Sequence, residues 1–274
     1  MQHIRRNERL AAITRILTAS PNRVITLSHF ADLFGAAKST LSEDIDILSE
    51  TLARFGLGQL DTVTGAAGGV RYRPALSKAD ALAFVQSVAD RLAEPGRVLP
   101  GGFLYMADAL SNPEWVEKMG AVMAGEFYGE EPDFVLTMET KGIPVALMAA
   151  KALGVPLVIA RRSSKVYEGP AVNINYLSGS AGRIETMSLS RRAVREGQRA
   201  LIVDDFMKAG GTIRGMLDMM REFSVTVVGV CVVIATAEPE RKRLEGAKAL
   251  MIMEAADDER DSALIRPGDW LMEQ

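Results

Sequence analysis

The sequence predicts a two-domain α/β chain, with a small helical head ending in a β-hairpin and then a larger domain built on a mainly parallel sheet. Three observations carry that expectation. The chain has 274 residues, room for one small and one medium core. Its first 74 residues show helical periodicity and then two strand-like runs around a Gly-rich turn. From residue 133 onward, strand-like apolar runs (DFVLTMET, VPLVIARR, RALIVDDF, VTVVGVCVVIA) alternate with helical ones (PVALMAAKALG, TIRGMLDMMREF).

In the head, Leu10, Ile13, Ile16 and Leu17 form an apolar stripe that predicts a helix over Arg5 to Thr18, with Arg5, Arg6, Arg9 and Arg15 on the other side. A short second helix follows, capped at Thr26 or Ser28 and stopped by Gly35. A third opens at Ala36-Ala37-Lys38-Ser39-Thr40 and turns Leu41, Ile45, Leu48 and Leu52 inward. The pair forms a helix-turn-helix. Residues at the start of such a third helix enter the major groove, and its dipole favours phosphate; Lys38, Ser39, Thr40 and Ser42 supply short hydroxyls and a cation there. Next, GLGQLDTVTGAAGGVRYRP reads as a hairpin, or wing, in which Arg71 and Arg73 alternate with Val70 and Tyr72. Residues 1–74 are therefore expected to bind double-stranded DNA through Arg5, Arg6, Lys38, Ser39, Thr40, Ser42, Arg71 and Arg73. The competing reading is a small protein-interaction domain.

Charge points the same way without deciding the matter. Residues 1–74 hold nine Lys/Arg against seven Asp/Glu, whereas the remainder holds 23 against 28. A difference this small also arises by chance. The first seventeen residues are too charged for a signal peptide, and nowhere do eighteen uncharged apolar residues run together, so a cytoplasmic chain without membrane association is expected. Cys231 is the one cysteine and lies inside VTVVGVCVVIA, where a small buried hydrophobe is expected. The two histidines, His3 and His29, lie near no cysteine or carboxylate cluster at ligand spacing, so no metal site is expected.

The domain boundary is placed near residue 74, giving a head over 1–74 and a second domain over 75–274. Pro74-Ala75-Leu76-Ser77 breaks the strand, SKADALAFVQSVADRLAE reads as an amphipathic helix, and LPGG forms a turn at 99–102. Near the end, MEAADDERDSALIRPGDW reads as an acidic loop and a final strand.

The chemistry sits in RALIVDDFMKAGGT, residues 199–212. An apolar strand ends in Asp204 and Asp205, and a short loop of Phe206, Met207, Lys208, Ala209, Gly210 and Gly211 leads to Thr212 at a helix start. Backbone amides of a Gly-containing loop at a helix N-terminus form a donor set for phosphate, to which Thr212 adds a hydroxyl. The two carboxylates accept hydrogen bonds from vicinal ribose hydroxyls. A ribose 5-phosphate fits the pair.

That segment resembles the signature for phosphoribosyl pyrophosphate (PRPP) of type I phosphoribosyltransferases. The resemblance implies that Glu139-Thr140-Lys141-Gly142, after DFVLTM, is the loop for pyrophosphate. Together with TKGIP, IARRSSKVYEGP, NYLSGSAGRIETMSLSRR and LPGGFLY, behind a head ending in GAAGGVRYRP, the chain resembles the purine operon repressors of Gram-positive bacteria over almost its whole length. The resemblance implies a homodimeric, non-enzymatic repressor of purine synthesis and transport genes. Its type I phosphoribosyltransferase-like domain would bind PRPP, accompanied by Mg2+, and also guanosine tetraphosphate. It implies a pocket of Tyr105, Thr140, Lys141, Gly142, Arg161, Ser178, Gly179, Ser180 and residues 204–212. Two other classes stay open on the residues alone: a catalytically active purine phosphoribosyltransferase carrying a regulatory DNA-binding domain, and a scaffold that would leave the acid pair unexplained.

Overall fold

The structure, a computed structural model, describes residues 4–65, 68–99, 103–164, 169–178, 183–238, 246–257 and 262–273, with the side chains of 255–257 excepted. The chain divides into two compact units, Met1–Ser77 with Lys151–Gly154, and Lys78–Ala150 with Val155–Gln274.

In the first unit, α1 (Arg6–Ala19), α2 (Leu27–Phe34) and α3 (Lys38–Arg54) pack around Ile13, Leu17, Phe30, Leu41, Ile45, Leu48 and Leu52. The caps follow sequence chemistry. The Thr26 hydroxyl accepts the His29 amide at 3.2 Å, and Gly35 ends α2 at φ 62°, a left-handed conformation that costs glycine nothing. The wing is β2 (Gln59–Val63) against β3 (Gly69–Arg73), and a short β1 (Ile25–Thr26) pairs with the other side of β3. Val70 and Tyr72 are buried while Arg71 and Arg73 are partly exposed, the expected alternation.

Arg9 corrects the reading of α1 as polar on its arginine side. It is buried, and its Nε donates to Asp44 Oδ2 at 2.8 Å; Asp44, on α3, has no exposed side-chain surface. The 3.6-residue period brings Arg9 round beside Ile13, so the helix carries one buried cation within its apolar stripe, matched by a buried anion.

The second unit opens with α4 (Lys78–Leu92) and a small antiparallel pair, β4 (Val98–Leu99) with β5 (Phe103–Leu104). Two helices follow, α5 (Ala107–Ser111) and α6 (Pro113–Gly125), the second capped by Asn112 with Pro113 at its first position. The strands of the main sheet are β6 (Phe134–Met138), β7 (Leu157–Ala160), β10 (Arg199–Met207), β11 (Thr226–Thr236), β12 (Lys248–Asp257) and β13 (Ser262–Pro267), in the order β13-β12-β11-β10-β6-β7. All neighbours are parallel except β12 and β13, so the sheet is mixed but mainly parallel. Helices α7 (Ile143–Leu153) and α8 (Gly211–Glu222) are the crossovers, and α9 (Asp269–Met272) closes the chain. A separate ribbon pairs β8 (Ala171–Leu177) with β9 (Ile184–Ser190).

Two expectations are corrected. Strand β10 does not stop at the acids but runs on to Met207, because Phe206 and Met207 still pair with Ile234 and Ala235 on β11. The segment read as an acidic loop near the end begins as strand, since β12 extends to Asp257 and pairs back on β13. Cys231 is fully buried, and burial pushes its thiol up to about 12. Among the described residues no helix is long and apolar enough to cross a membrane.

Candidate functional site

Topology sets the place. From β6 the chain crosses to β7 on one side; from β10 it crosses to β11 on the other; and β6 and β10 are neighbours. The crevice beyond their carboxyl ends is therefore the switch point of the sheet, where open α/β folds bind ligands. Both loops singled out in the sequence issue there.

Gly142 shows how close they come. A Cβ at residue 142 would lie 2.7 Å from Asp204 Oδ1 and 2.7 Å from Thr137 Oγ1. The 139–142 loop thus lies directly on the acid pair, and a side chain at 142 would fill the space between them. Asp204 is buried, and its Oδ1 accepts the Asp205 amide at 3.0 Å. Burial first, and then the neighbouring Asp205 carboxyl, hold Asp204 well above the usual carboxylate range. Asp205 is partly exposed. Thr137 is fully buried, and its hydroxyl makes no hydrogen bond among the described residues.

Beyond the acids, Lys208 is exposed, and Gly210 takes the left-handed conformation at φ 75° to cap α8. Gly211 and Thr212 form the first turn of that helix, whose leading amides have no intrahelical partners. Ile213, Met216, Met219 and Met220 bury its other face in the core and fix the direction in which the amides point. The arrangement offers two acids for a diol, then amides and Lys208 for a phosphate.

A polar chain borders this crevice. Glu139 accepts the Arg162 amide at 2.7 Å and the Arg161 guanidinium at 3.4 Å. Arg162 reaches Glu185 at 3.2 Å, and Glu185 accepts the Tyr176 hydroxyl at 2.9 Å. Burial, then the Glu185 bond, pushes the Tyr176 phenol up to about 12, with the Thr212 hydroxyl pulling the other way, and Tyr176 packs on α8 so closely that a Cβ at Gly215 would lie 3.0 Å from it. The 139–142 loop and the start of α8 are thereby linked through the β8–β9 ribbon. The Arg161 and Ser188 backbones exchange hydrogen bonds at 2.9 and 2.7 Å, tying the ribbon to the end of β7.

In the head, Lys38, Ser39 and Ser42 are exposed in the first five residues of α3 and Thr40 is half-buried. Arg5 is exposed, and its amide donates to Glu8 at 2.7 Å. Arg6 is engaged inside the unit, 2.9 Å from Asp44 and 3.1 Å from Glu43, both on α3. Arg71 and Arg73 converge on Asp61 at 3.5 and 2.9 Å.

Comparison with known proteins agrees with both halves. Residues 5–74 match the family described as bacterial purine repressor, N-terminal, and residues 112–260 match the phosphoribosyl transferase domain family. The purine biosynthesis transcriptional repressor of Bacillus subtilis is 42% identical over 267 residues, 97% of this chain and 94% of that one. The chain belongs to the bacterial purine repressor family. A Lactococcus lactis relative, named a purine biosynthesis transcriptional activator, is 38% identical over 266 residues, 97% of this chain and 98% of that one. The adenine phosphoribosyltransferase structure from Thermoanaerobacter pseudethanolicus has a TM-score of 0.51 at 22% identity and covers 60% of this chain and 96% of that one, a likeness of fold.

Within this family member, Thr140, Lys141, Gly142 and residues 204–212 come together at the switch point. Arg161 joins through Glu139, and Ser178 is buried at the end of β8 with its amide on the Arg183 carbonyl at 2.9 Å. Gly179 and Ser180 lie outside the described residues. Tyr105 is exposed after β5, with Arg97 over its ring at 5.8 Å, and makes no described contact with the acid pair or the Gly210 loop. Sequence reasoning missed Thr137, Tyr176 and Glu185. Thr137 alone left a signal, as the polar residue in the apolar run FVLTM. Tyr176 and Glu185 sit on a ribbon whose pairing no local pattern announced. Among the described residues no group of three or more His, Cys, Asp or Glu is placed to hold a metal ion.

Proposed function

We propose that this chain is a transcriptional repressor of purine biosynthesis and transport genes, acting as a homodimer on operator DNA through its winged-helix head. PRPP taken up at the switch point controls that binding. The observation that carries the reading is the approach of Gly142 to Asp204 and Thr137 in a chain that also has a winged-helix head. It puts an acid pair, a helix N-terminus and a Lys-bearing loop into one crevice. The ribose diol goes to Asp204 and Asp205, the 5-phosphate to the amides of 210–212 with Lys208, and the pyrophosphate to the 139–142 loop with Lys141. Mg2+, a hard cation suited to oxygen donors, arrives as the counter-ion of the pyrophosphate and belongs to the ligand. Guanosine tetraphosphate, with its own ribose and pyrophosphates, competes for the same groups.

A duplex carrying a purine-gene promoter, titrated by fluorescence anisotropy with and without PRPP, tests the reading. PRPP is expected to weaken operator binding by about 5–150-fold, the usual range of allosteric coupling, and operator must weaken PRPP by the same factor. Operator affinity independent of saturating PRPP would remove the regulatory reading. A second reading, an active purine phosphoribosyltransferase, is favoured by the phosphoribosyl transferase domain match over residues 112–260. Steady nucleotide formation from PRPP, Mg2+ and any of adenine, guanine, hypoxanthine, xanthine or uracil would establish it.

A further inference from the structure

The wing holds its own counter-ion. Asp61 on β2 stands directly opposite Arg71 on β3, and Arg73 is the next residue on the same face. One carboxylate oxygen, Asp61 Oδ2, lies 3.5 Å from Arg71 and 2.9 Å from Arg73, with all three side chains no more than a third exposed. The opposite face of β3 is buried through Val70 and Tyr72, so the register aims these charges outward from the core. Arg71 Nε is buried without a hydrogen-bond partner among the described residues, so the carboxylate leaves that guanidinium partly unsatisfied.

We infer that Asp61 is a specificity-determining residue that damps the wing. It occupies both arginines with one internal anion, while Arg73 also donates to the Asn22 side-chain oxygen at 3.4 Å, so that a DNA phosphate must compete with Asp61 for them. The inference rests on the reading of the head as a DNA-binding module. A loosely seated duplex of arbitrary sequence gains too little to open this clasp. A correctly seated operator, held also by the start of α3, brings its phosphates close enough to exchange with Asp61. Backbone attraction is the sequence-independent part of DNA binding, so a residue that withholds two cations lowers random binding more than operator binding.

The test uses the full chain and Asp61→Asn, which keeps the shape and removes the charge. Binding to an operator duplex and to a random duplex is measured by anisotropy across a KCl series, with thermal unfolding followed in parallel. Removing one opposing charge raises the net charge of the wing by one and should steepen the log–log salt slope by about 0.9. That corresponds to roughly eight-fold tighter random binding at 0.1 M relative to 1 M salt. Operator binding should tighten less, so selectivity falls. Asp61→Asn/Arg71→Gln/Arg73→Gln, which carries one positive charge fewer on the wing than the parent, should lose the gain; retention of the gain would mean that the two released arginines are not its source, and would overturn the inference. Unchanged or weaker random binding by Asp61→Asn would overturn it too, since Asp61 would then merely orient the arginines. Should Asp61→Asn lower the melting temperature, Asp61→Thr, a better strand former, repeats the measurement under the same criteria. Parent protein that binds neither duplex at low salt would instead sink the DNA-binding reading itself.

Discussion

Replacing Asp204 by Asn is expected to stabilise the protein while disabling its pocket, and the two effects have one cause. Asp204 is buried, accepts a hydrogen bond from the Asp205 amide and faces a second carboxyl. The folded state therefore binds this proton more tightly than the unfolded chain, where Asp titrates at about 3.9. With more protons bound in the folded state, stability falls as pH rises. The contribution is fully present below the unfolded value and is lost as pH climbs through the raised folded one. Asn keeps the acceptor for the Asp205 amide, offers its own N–H to the Asp205 carboxylate and never ionises. At pH 8 this should recover about 1–3 kcal/mol, the usual cost of an uncompensated buried polar group. For a unit of this size that raises the melting temperature by about 2–4 °C per kcal/mol. The gap between parent and variant should narrow toward pH 4. The same exchange removes a charge-assisted acceptor for the ribose, worth about 1.5–3 kcal/mol, so PRPP should weaken by roughly 10–150-fold in calorimetry. A variant that melts lower than the parent at pH 8, or that binds PRPP unchanged, would refute the reasoning.

Gly142→Ala places a methyl group 2.7 Å from two oxygens; a loss of about 1–3 kcal/mol from overpacking is expected, along with weakened PRPP binding, read by melting and calorimetry. Arg9→Leu takes from the fully buried Asp44 its buried partner and leaves it only the half-exposed Arg6, which should cost about 1–3 kcal/mol in denaturant unfolding, whereas Arg9→Leu with Asp44→Leu should recover most of the loss. Thr40→Ala should lower the preference for operator over random duplex in a competition assay while leaving the salt slope unchanged. The Cys231 thiol, pushed up to about 12 by burial, should resist a thiol reagent at pH 8 in the folded protein and react at once in denaturant.

What could be read from the residues alone follows the range of the forces involved. Apolar periodicity is local, so the three head helices and the alternating strands and helices of the second unit were legible, as was the Gly210-Gly211-Thr212 start of α8. The end of β10 was not, because the acids look like a strand terminus while the continuing ladder is supplied by Ile234 and Ala235 from β11. Arg9 was misplaced for a related reason: its partner Asp44 lies 35 residues away on another helix. Arg71 and Arg73 were correctly set on one face of the wing, yet their charge cannot be judged without the cross-strand register that delivers Asp61 to both. Within the crevice the loops were legible as motifs. Thr137 and the Tyr176–Glu185 pair were not, since their importance comes from what the sheet and ribbon bring beside them.

The backbone bridge between Arg161 and Ser188 makes the crevice observable from a distance. These two amides donate across the junction where the ribbon meets the sheet, and the Arg161 and Arg162 side of that junction holds Glu139 at the mouth of the 139–142 loop. A ligand that immobilises the loop must slow opening of the junction, so protection of the Arg161 and Ser188 amides against solvent deuterium becomes a clock for occupancy, readable without label, operator or turnover.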